Sequence, residues 1–202
     1  GKSLQLSTFV DKVGNVIIKK PATKGFENKK AIVLQSHLDM VHQKNADTIF
    51  DFDEEGIKMV VDGDWVTADG TTLGADNGLG VAAIMAVLSS KDIQHSNIEA
   101  LFTIDEETGM TGAMGLEGGI LKGDILLNLD TEEDNEIGMG CAGGIDVTAT
   151  RNYIEEEVPD HATAFLITVK GLNGGHSGMD IHKGLGNANK IMMRILFDGS
   201  LN

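Results

Sequence analysis

The chain has 202 residues, 41% of them hydrophobic, and a net charge of −15 at pH 7. That supplies a core for one large domain, or for one and part of another, and excludes global disorder. The acidic balance argues against nucleic acid and anionic membrane as partners, since both need basic patches, and it is compatible with cation binding.

Cys141 stands alone, so no internal disulfide can form and a reducing, cytoplasmic compartment is expected. The residue itself reads as a small buried side chain. No run is long and apolar enough to span a bilayer, and the opening residues lack a signal-peptide apolar stretch.

In chain order, "VGNVIIKKPAT" (13–23) reads as a strand stopped by Pro21. "KKAIVLQSH" (29–37) is a second strand with an apolar centre. "IKMVVDGDWVTADG" (57–70) predicts a hairpin turning at Asp62-Gly63, a pair that suits a type I′ turn. "GLGVAAIMAVLSS" (78–90) is a helix apolar nearly all round, expected to be buried against a sheet. "IEALFTI" (98–104) and "DILLNLD" (124–130) are strands apolar on both faces. Such strands with an intervening helix predict an α/β domain, a mixed and mostly parallel sheet sandwiched by helices. After "GCAGGID" (140–146) the pattern changes. "DVTATRNYI" and "AFLITVKG" alternate as half-exposed strands do, and a helix comes next over 187–197. The reading is a partial first domain over 1–143 and the start of an α+β domain over 144–202.

The chemistry gathers at strand ends. His37 ends one apolar strand; Asp105, Glu106 and Glu107 come directly after another; Asp130 closes a third. In open α/β sheets ligands bind outside the carboxyl ends of strands. Asp76, in "TTLGADNGLG", lies in a Gly-rich turn ahead of the helix and can reach the same edge. Taken singly, a His after a strand is a bystander, an Asp before a helix is an N-cap, and an acidic run is solvated. Together, one His and several carboxylates with no compensating Lys or Arg make a metal site. The donor set suits Zn²⁺, Mn²⁺ or Co²⁺, and the His argues against Ca²⁺ or Mg²⁺. Asp39, two residues after His37, can accept the free ring N–H of a ligating His. Neighbouring residues of an extended chain point opposite ways, so one of Glu106 and Glu107 can bind metal while the other acts as general base. The sequence leaves open which does which. "GMGCAGG" (138–144) matches a nucleotide-binding glycine pattern, but the adjoining "IDVTAT" is strand-like, so no helix N-terminus awaits a phosphate.

The stretches "QSHLDMV", "GTTLGADNGLGVAA", "TIDEETGMTGA", "LLNLDTEED" and "GLNGGHSGMDIHKGLGNA" resemble the M20 family of co-catalytic zinc peptidases, nearest to its branch acting on Xaa-His dipeptides. The resemblance implies a zinc-peptidase catalytic domain, then the start of a ferredoxin-like lid domain that can pair two copies as a homodimer. It implies two Zn²⁺ per site, with Co²⁺ or Mn²⁺ as alternatives. His37 and Asp130 would hold one, Glu107 the other, and Asp76 would bridge them through a residue whose bond to Asn77 is cis. Asp39 would orient His37, Glu106 would be the general base, and His176 in "GGHSG" would contact substrate. The implied reaction is hydrolysis of dipeptides such as β-alanyl-histidine. A family deacylase or desuccinylase, or a non-catalytic relative, is the alternative. Family members are longer, and they take a last His ligand from beyond the lid. The chain therefore reads as a fragment lacking a complete second metal site.

Overall fold

The computed structural model describes residues 1–131, 135–141, 143–145, 147–176 and 178–200. The chain divides into two compact units, Gly1–Cys141 and Ala142–Asn202.

The first unit contains strands β1 (Ser7–Val10), β2 (Val16–Lys20), β3 (Ile32–His37), β4 (Met59–Asp62) and β5 (Trp65–Ala68). Helix α1 (Ala75–Ser89), strand β6 (Ile98–Thr103), the short helix α2 (Thr111–Met114) and strand β7 (Ile125–Asn128) come after them. Five strands form one sheet in the order β1-β2-β6-β3-β7. β3 pairs in parallel with both β6 and β7. β1 with β2, and β2 with β6, are antiparallel. The sheet is mixed without being mostly parallel, because apolar content reports burial and not strand direction. What matters for the site is that β3, β6 and β7 end on the same edge.

β6 is the buried spine of the sheet, every residue of it inaccessible. On one face Ile18, Ala100 and Phe102 pack with Ile84 and Leu88 of α1. On the other, Ile17, Val33 and Leu101 pack under Leu116, Ile120 and Leu121. Each fully buried aliphatic or aromatic side chain contributes about 1.5–3 kcal/mol. α1 is not buried all round: Asn77, Gly80, Ile84 and Leu88 form one buried stripe at helical spacing, while Leu79 lies exposed. Its C-terminus is closed by Lys20 Nζ, which donates to the carbonyls of Val87 (2.9 Å) and Ser90 (2.8 Å). β7 is an exposed edge strand and not the doubly covered one its Ile-Leu-Leu run predicts.

The hairpin forms as β4–β5, with Asp62 paired to Trp65. Its two loop residues are therefore Gly63 and Asp64, one position later than expected. Only Gly63 has positive φ, at 58°. A type I′ turn needs positive φ at both, so the glycine-first II′ pattern fits instead.

The second unit has a 3₁₀ turn at Ile181–Lys183 and helix α3 (Ala188–Ser200), which matches the helix expected there. The alternating stretches 146–154 and 164–171 form no strand among the described residues; Asp146, which opens the first, lies outside them. Phe165 and Leu166 are exposed. An alternating segment becomes a strand when its apolar face has a surface to cover, and these side chains cover none. Among the described residues no ferredoxin-like lid is thus delineated. Cys141 is exposed, against the expectation of burial.

Candidate metal centre

His37, the last residue of β3, is 1% exposed. Its Nδ1 donates to the Asp39 carbonyl at 2.9 Å, with Asp39 Oδ1 at 3.5 Å. In a neutral ring this leaves the lone pair on Nε2. Nε2 faces carboxylates alone: Asp76 Oδ1 at 3.0 Å, Asp130 Oδ2 at 3.8 Å and Glu106 Oε2 at 3.9 Å. Two groups of donors converge on it, His37–Asp76–Asp130 and His37–Glu106–Glu107, each with its ligand atoms within 4.8 Å of one another.

Local chemistry fixes each donor. Asp76 sits in the irregular first turn of α1, where the Asp76–Asn77 peptide is cis, as the resemblance implies. Asn77 is buried and ties three elements together. Its side-chain oxygen accepts from Ser36 Oγ of β3, and its Nδ2 donates to Leu129 O at 3.3 Å, beside Asp130. Asp130 is held through its own N–H to Asn128 Oδ1 (2.8 Å). Asp39 Oδ2 accepts the Glu107 N–H at 3.0 Å, so this carboxylate contacts both His37 and the acidic loop.

The acidic run after β6 divides its labour. Asp105 takes positive φ (58°), and its carboxylate turns back into its own loop. There it accepts from Thr108 Oγ1, from Thr111 Oγ1 at 2.6 Å and from Thr111 N–H. Glu106 and Glu107 are left at the site. Asn77, Ser36 and Asp105 were not singled out as positioning groups from sequence; the one available signal was the Gly-rich flank of Asp76-Asn77.

Electrostatically the centre is short of positive charge. Among the described residues no Lys or Arg pairs with Asp76, Glu106, Glu107 or Asp130. Burial pushes the Glu106 carboxyl above its usual range, and the charges of Asp130, Glu107 and Asp76 push the same way against the pull of His37. Burial alone would lower His37, but the hydrogen bond to Asp76, the charge of Asp130 and the Asp39 carbonyl raise it. Burial would raise Asp39, yet the N–H groups of Glu107 and Glu106 hold it below the ordinary carboxylate value. One imidazole nitrogen and four carboxylates with no basic partner fit borderline divalent cations such as Zn²⁺. A cavity of about 260 Å³ adjoins the donors, between Ala75–Gly80 and Leu129–Thr131. The larger cavity, about 400 Å³, runs along Gln5–Ser7, Lys19–Pro21 and Asn97–Glu99 and touches none of them.

A family model described as peptidase family M20/M25/M40 matches residues 33–181. The chain belongs to this family. It is 56% identical over 186 residues to the cytosol non-specific dipeptidase of Escherichia coli K12, covering 92% of this chain and 38% of that protein. The crystal structure of aminoacylhistidine dipeptidase from Vibrio alginolyticus superposes with a TM-score of 0.70 at 53% identity, covering 96% of this chain and 40% of that one. Aminopeptidase PepT from Bacillus cereus gives 0.54 at 30% identity over 65% of this chain and 35% of that one. The M20 chain thus spans about two fifths of the length of the Escherichia coli and Vibrio alginolyticus relatives.

His176 belongs to the second unit. Its N–H donates to Asp180 Oδ2 at 2.9 Å, and its Nδ1 accepts from Gly178 N (3.1 Å) and Met179 N (3.0 Å). Ser177 of the "GGHSG" motif and Glu132–Asp134 of "LLNLDTEED" lie outside the described residues. Among the described residues no helix is long and apolar enough to cross a membrane.

Proposed function

We propose that the protein is a metal-dependent dipeptidase that hydrolyses short peptides with a free amino terminus, Xaa-His dipeptides such as β-alanyl-histidine among them. The observation that carries this reading is His37 Nε2, buried at the meeting point of two carboxylate groups that no basic side chain neutralises. The names of the Escherichia coli and Vibrio alginolyticus relatives support a dipeptide substrate, and the second supports a C-terminal histidine.

His37 and Asp130 would hold one Zn²⁺, Glu107 the other, and Asp76 would bridge the pair. When bound, such cations polarise the scissile carbonyl and lower the pKa of the attacking water. Asp39 keeps the proton of His37 on Nδ1 and the lone pair on Nε2. Glu106 would accept a proton from the attacking water and return it to the leaving amine, a role its carboxylate, 3.9 Å from His37 Nε2 at the edge of the donor groups, is placed to play. His176 would contact the substrate carboxylate from a lid domain over 144–202, beyond a catalytic domain over 1–143. Pairing through that domain would give a homodimer, and the low cysteine content and the cytosolic relative support a cytoplasmic setting.

The test is zinc per chain by elemental analysis after dialysis, with His37→Ala and Glu107→Ala alongside, then a hydrolysis panel. Zinc retained by the parent and lost from both variants, with cleavage of Xaa-His dipeptides that Glu106→Gln abolishes, supports the reading. No zinc in the parent overturns it. Cleavage of N-acyl amino acids but of no dipeptide overturns the substrate.

A further inference from the structure

Glu106 and Glu107 ride on a loop, residues 105–111, and a loop holds a site only as well as its ends are held. Both ends meet one side chain from elsewhere in the chain. Asn15, just before β2, is fully buried. Its Oδ1 accepts the N–H of Ile104, one residue before the loop, at 3.3 Å. Its Nδ2 donates to the carbonyl of Gly112, one residue after the loop, at 2.8 Å. The Ile104 carbonyl in turn accepts the Gly112 N–H at 3.3 Å, which closes the neck.

The clamp is itself anchored. Asn15 Nδ2 also donates to Asp11 Oδ2 at 2.7 Å. Asp11 Oδ1 gathers the N–H groups of Val13 (3.0 Å), Gly14 (2.9 Å) and Asn15 (2.9 Å), so the β1–β2 turn is a rigid mount. The joint is also close-packed. A Cβ at Gly112 would lie 2.6 Å from the Ile104 carbonyl oxygen and 2.7 Å from its nitrogen, besides overlapping Asn15 Oδ1. Only glycine lets the amide come this near.

The geometry points to Asn15 as a positioning residue that fixes Glu106 and Glu107 by clamping both ends of their loop. It touches neither carboxylate and acts through the backbone. This rests on the proposed role of Glu106 and Glu107 as site residues. Asp105 folds the loop from within, Asp39 holds Glu107 N–H from the side, and Asn15 sets the neck. This bridging accounts for a fully buried primary amide whose three hydrogen bonds join the β1–β2 turn to both ends of the loop.

The test uses the 202-residue chain, its Asn15→Ala variant and, as an independent break of the same joint from its other side, Gly112→Ala. Amide hydrogen exchange is read with chelator present, and Co²⁺ or Zn²⁺ titration without it. In both variants the amides of 105–111 should exchange at least about tenfold faster, with those of Ala100–Phe102 within about twofold of the parent. Metal binding that depends on Glu107 should weaken at least about tenfold, while binding that depends on Asp130 stays within about twofold. Unchanged loop exchange overturns the proposal. So does loosening spread equally over β6, which marks a merely structural residue. Should Asn15→Ala fail to fold, Gly112→Ala decides by the same criteria. A parent chain that holds no metal sinks the proposed function, yet the exchange comparison still decides the clamp.

Discussion

Replacing Gly80 by alanine, and separately Gly78 by alanine, makes the same chemical change two residues apart on α1. Gly80 gains helix propensity worth roughly 0.5–1 kcal/mol, and Gly78, the first residue after the non-helical Asp76 and Asn77, gains no more than that. At Gly78 nothing lies within 4 Å of the new Cβ, so that gain is the whole effect. At Gly80 the Cβ would stand 2.6 Å from Ser36 Oγ and overlap Asn77 Oδ1. Neither neighbour can yield: Ser36 is fully buried on β3, and Asn77 is held by Ser36 and by Leu129 O. Overpacking of this kind costs about 1–3 kcal/mol. Net, Gly80→Ala should lose about 1–2 kcal/mol while Gly78→Ala gains up to about 1. The two variants then differ by about 1–3 kcal/mol, and at roughly 2–4 °C per kcal/mol for a chain of this size they should melt about 2–12 °C apart. Circular dichroism melts with chelator present make the comparison without metal. Zinc titration adds a second reading, since pushing Asn77 moves Asp76 away from His37. A Gly80→Ala midpoint at or above that of Gly78→Ala would refute the claim that this glycine seats α1, and with it Asp76, on β3.

Glu99 is 4% exposed and accepts from Lys19 Nζ (2.6 Å), Lys122 N (2.6 Å) and Gly123 N (2.9 Å). Glu99→Ala should cost about 3 kcal/mol by urea unfolding at pH 7. Burial alone would raise this carboxyl, but Lys19 and the two N–H groups hold it below its usual value. Its contribution is therefore complete above the unfolded value of about 4.3 and fades as pH falls through the folded one, so parent and variant should converge in acid. In chelator the sign reverses at the metal centre. His37 is raised, so its contribution is complete below about pH 6.5 and is lost as pH climbs through its folded value. The stability gap between parent and His37→Gln should close on the alkaline side, and a gap that widens there refutes the pairing with Asp76. With zinc added the trend inverts, because the bound imidazole is neutral. Asp105→Ala should weaken zinc binding that depends on Glu107 several-fold by titration, although Asp105 is in neither donor group; unchanged affinity would show that the loop holds its shape without that carboxylate.

The strands that build the site were legible because β3 and β6 are apolar runs bounded by polar residues, and the helix after Asp76 because its composition admits little else. β1 was missed: four residues on a largely exposed edge carry no periodicity to read. The alternating stretches 146–154 and 164–171 read as strands and are not, since alternation states a preference that only a covering surface realises. At the site, sequence order placed His37, Asp76, Glu106, Glu107 and Asp130 on one edge, but three consecutive carboxylates look alike in a string of letters. What separates them is backbone. Positive φ at Asp105 swings its side chain back onto Thr108 and Thr111, so the acidic charge that reaches the centre comes from the next two residues. Both meet His37, as Asp76 and Asp130 do, and the proton affinity of Glu106 is raised first by burial and then by the charges of Asp130, Glu107 and Asp76. A chain seeking stability alone would spread these charges or pair them with lysine, as it does at Glu99 with Lys19. The same sheet thus holds both solutions, a neutralised carboxylate at the amino end of β6 and a deliberate deficit of positive charge at its carboxyl end, and the deficit is what a divalent cation would fill.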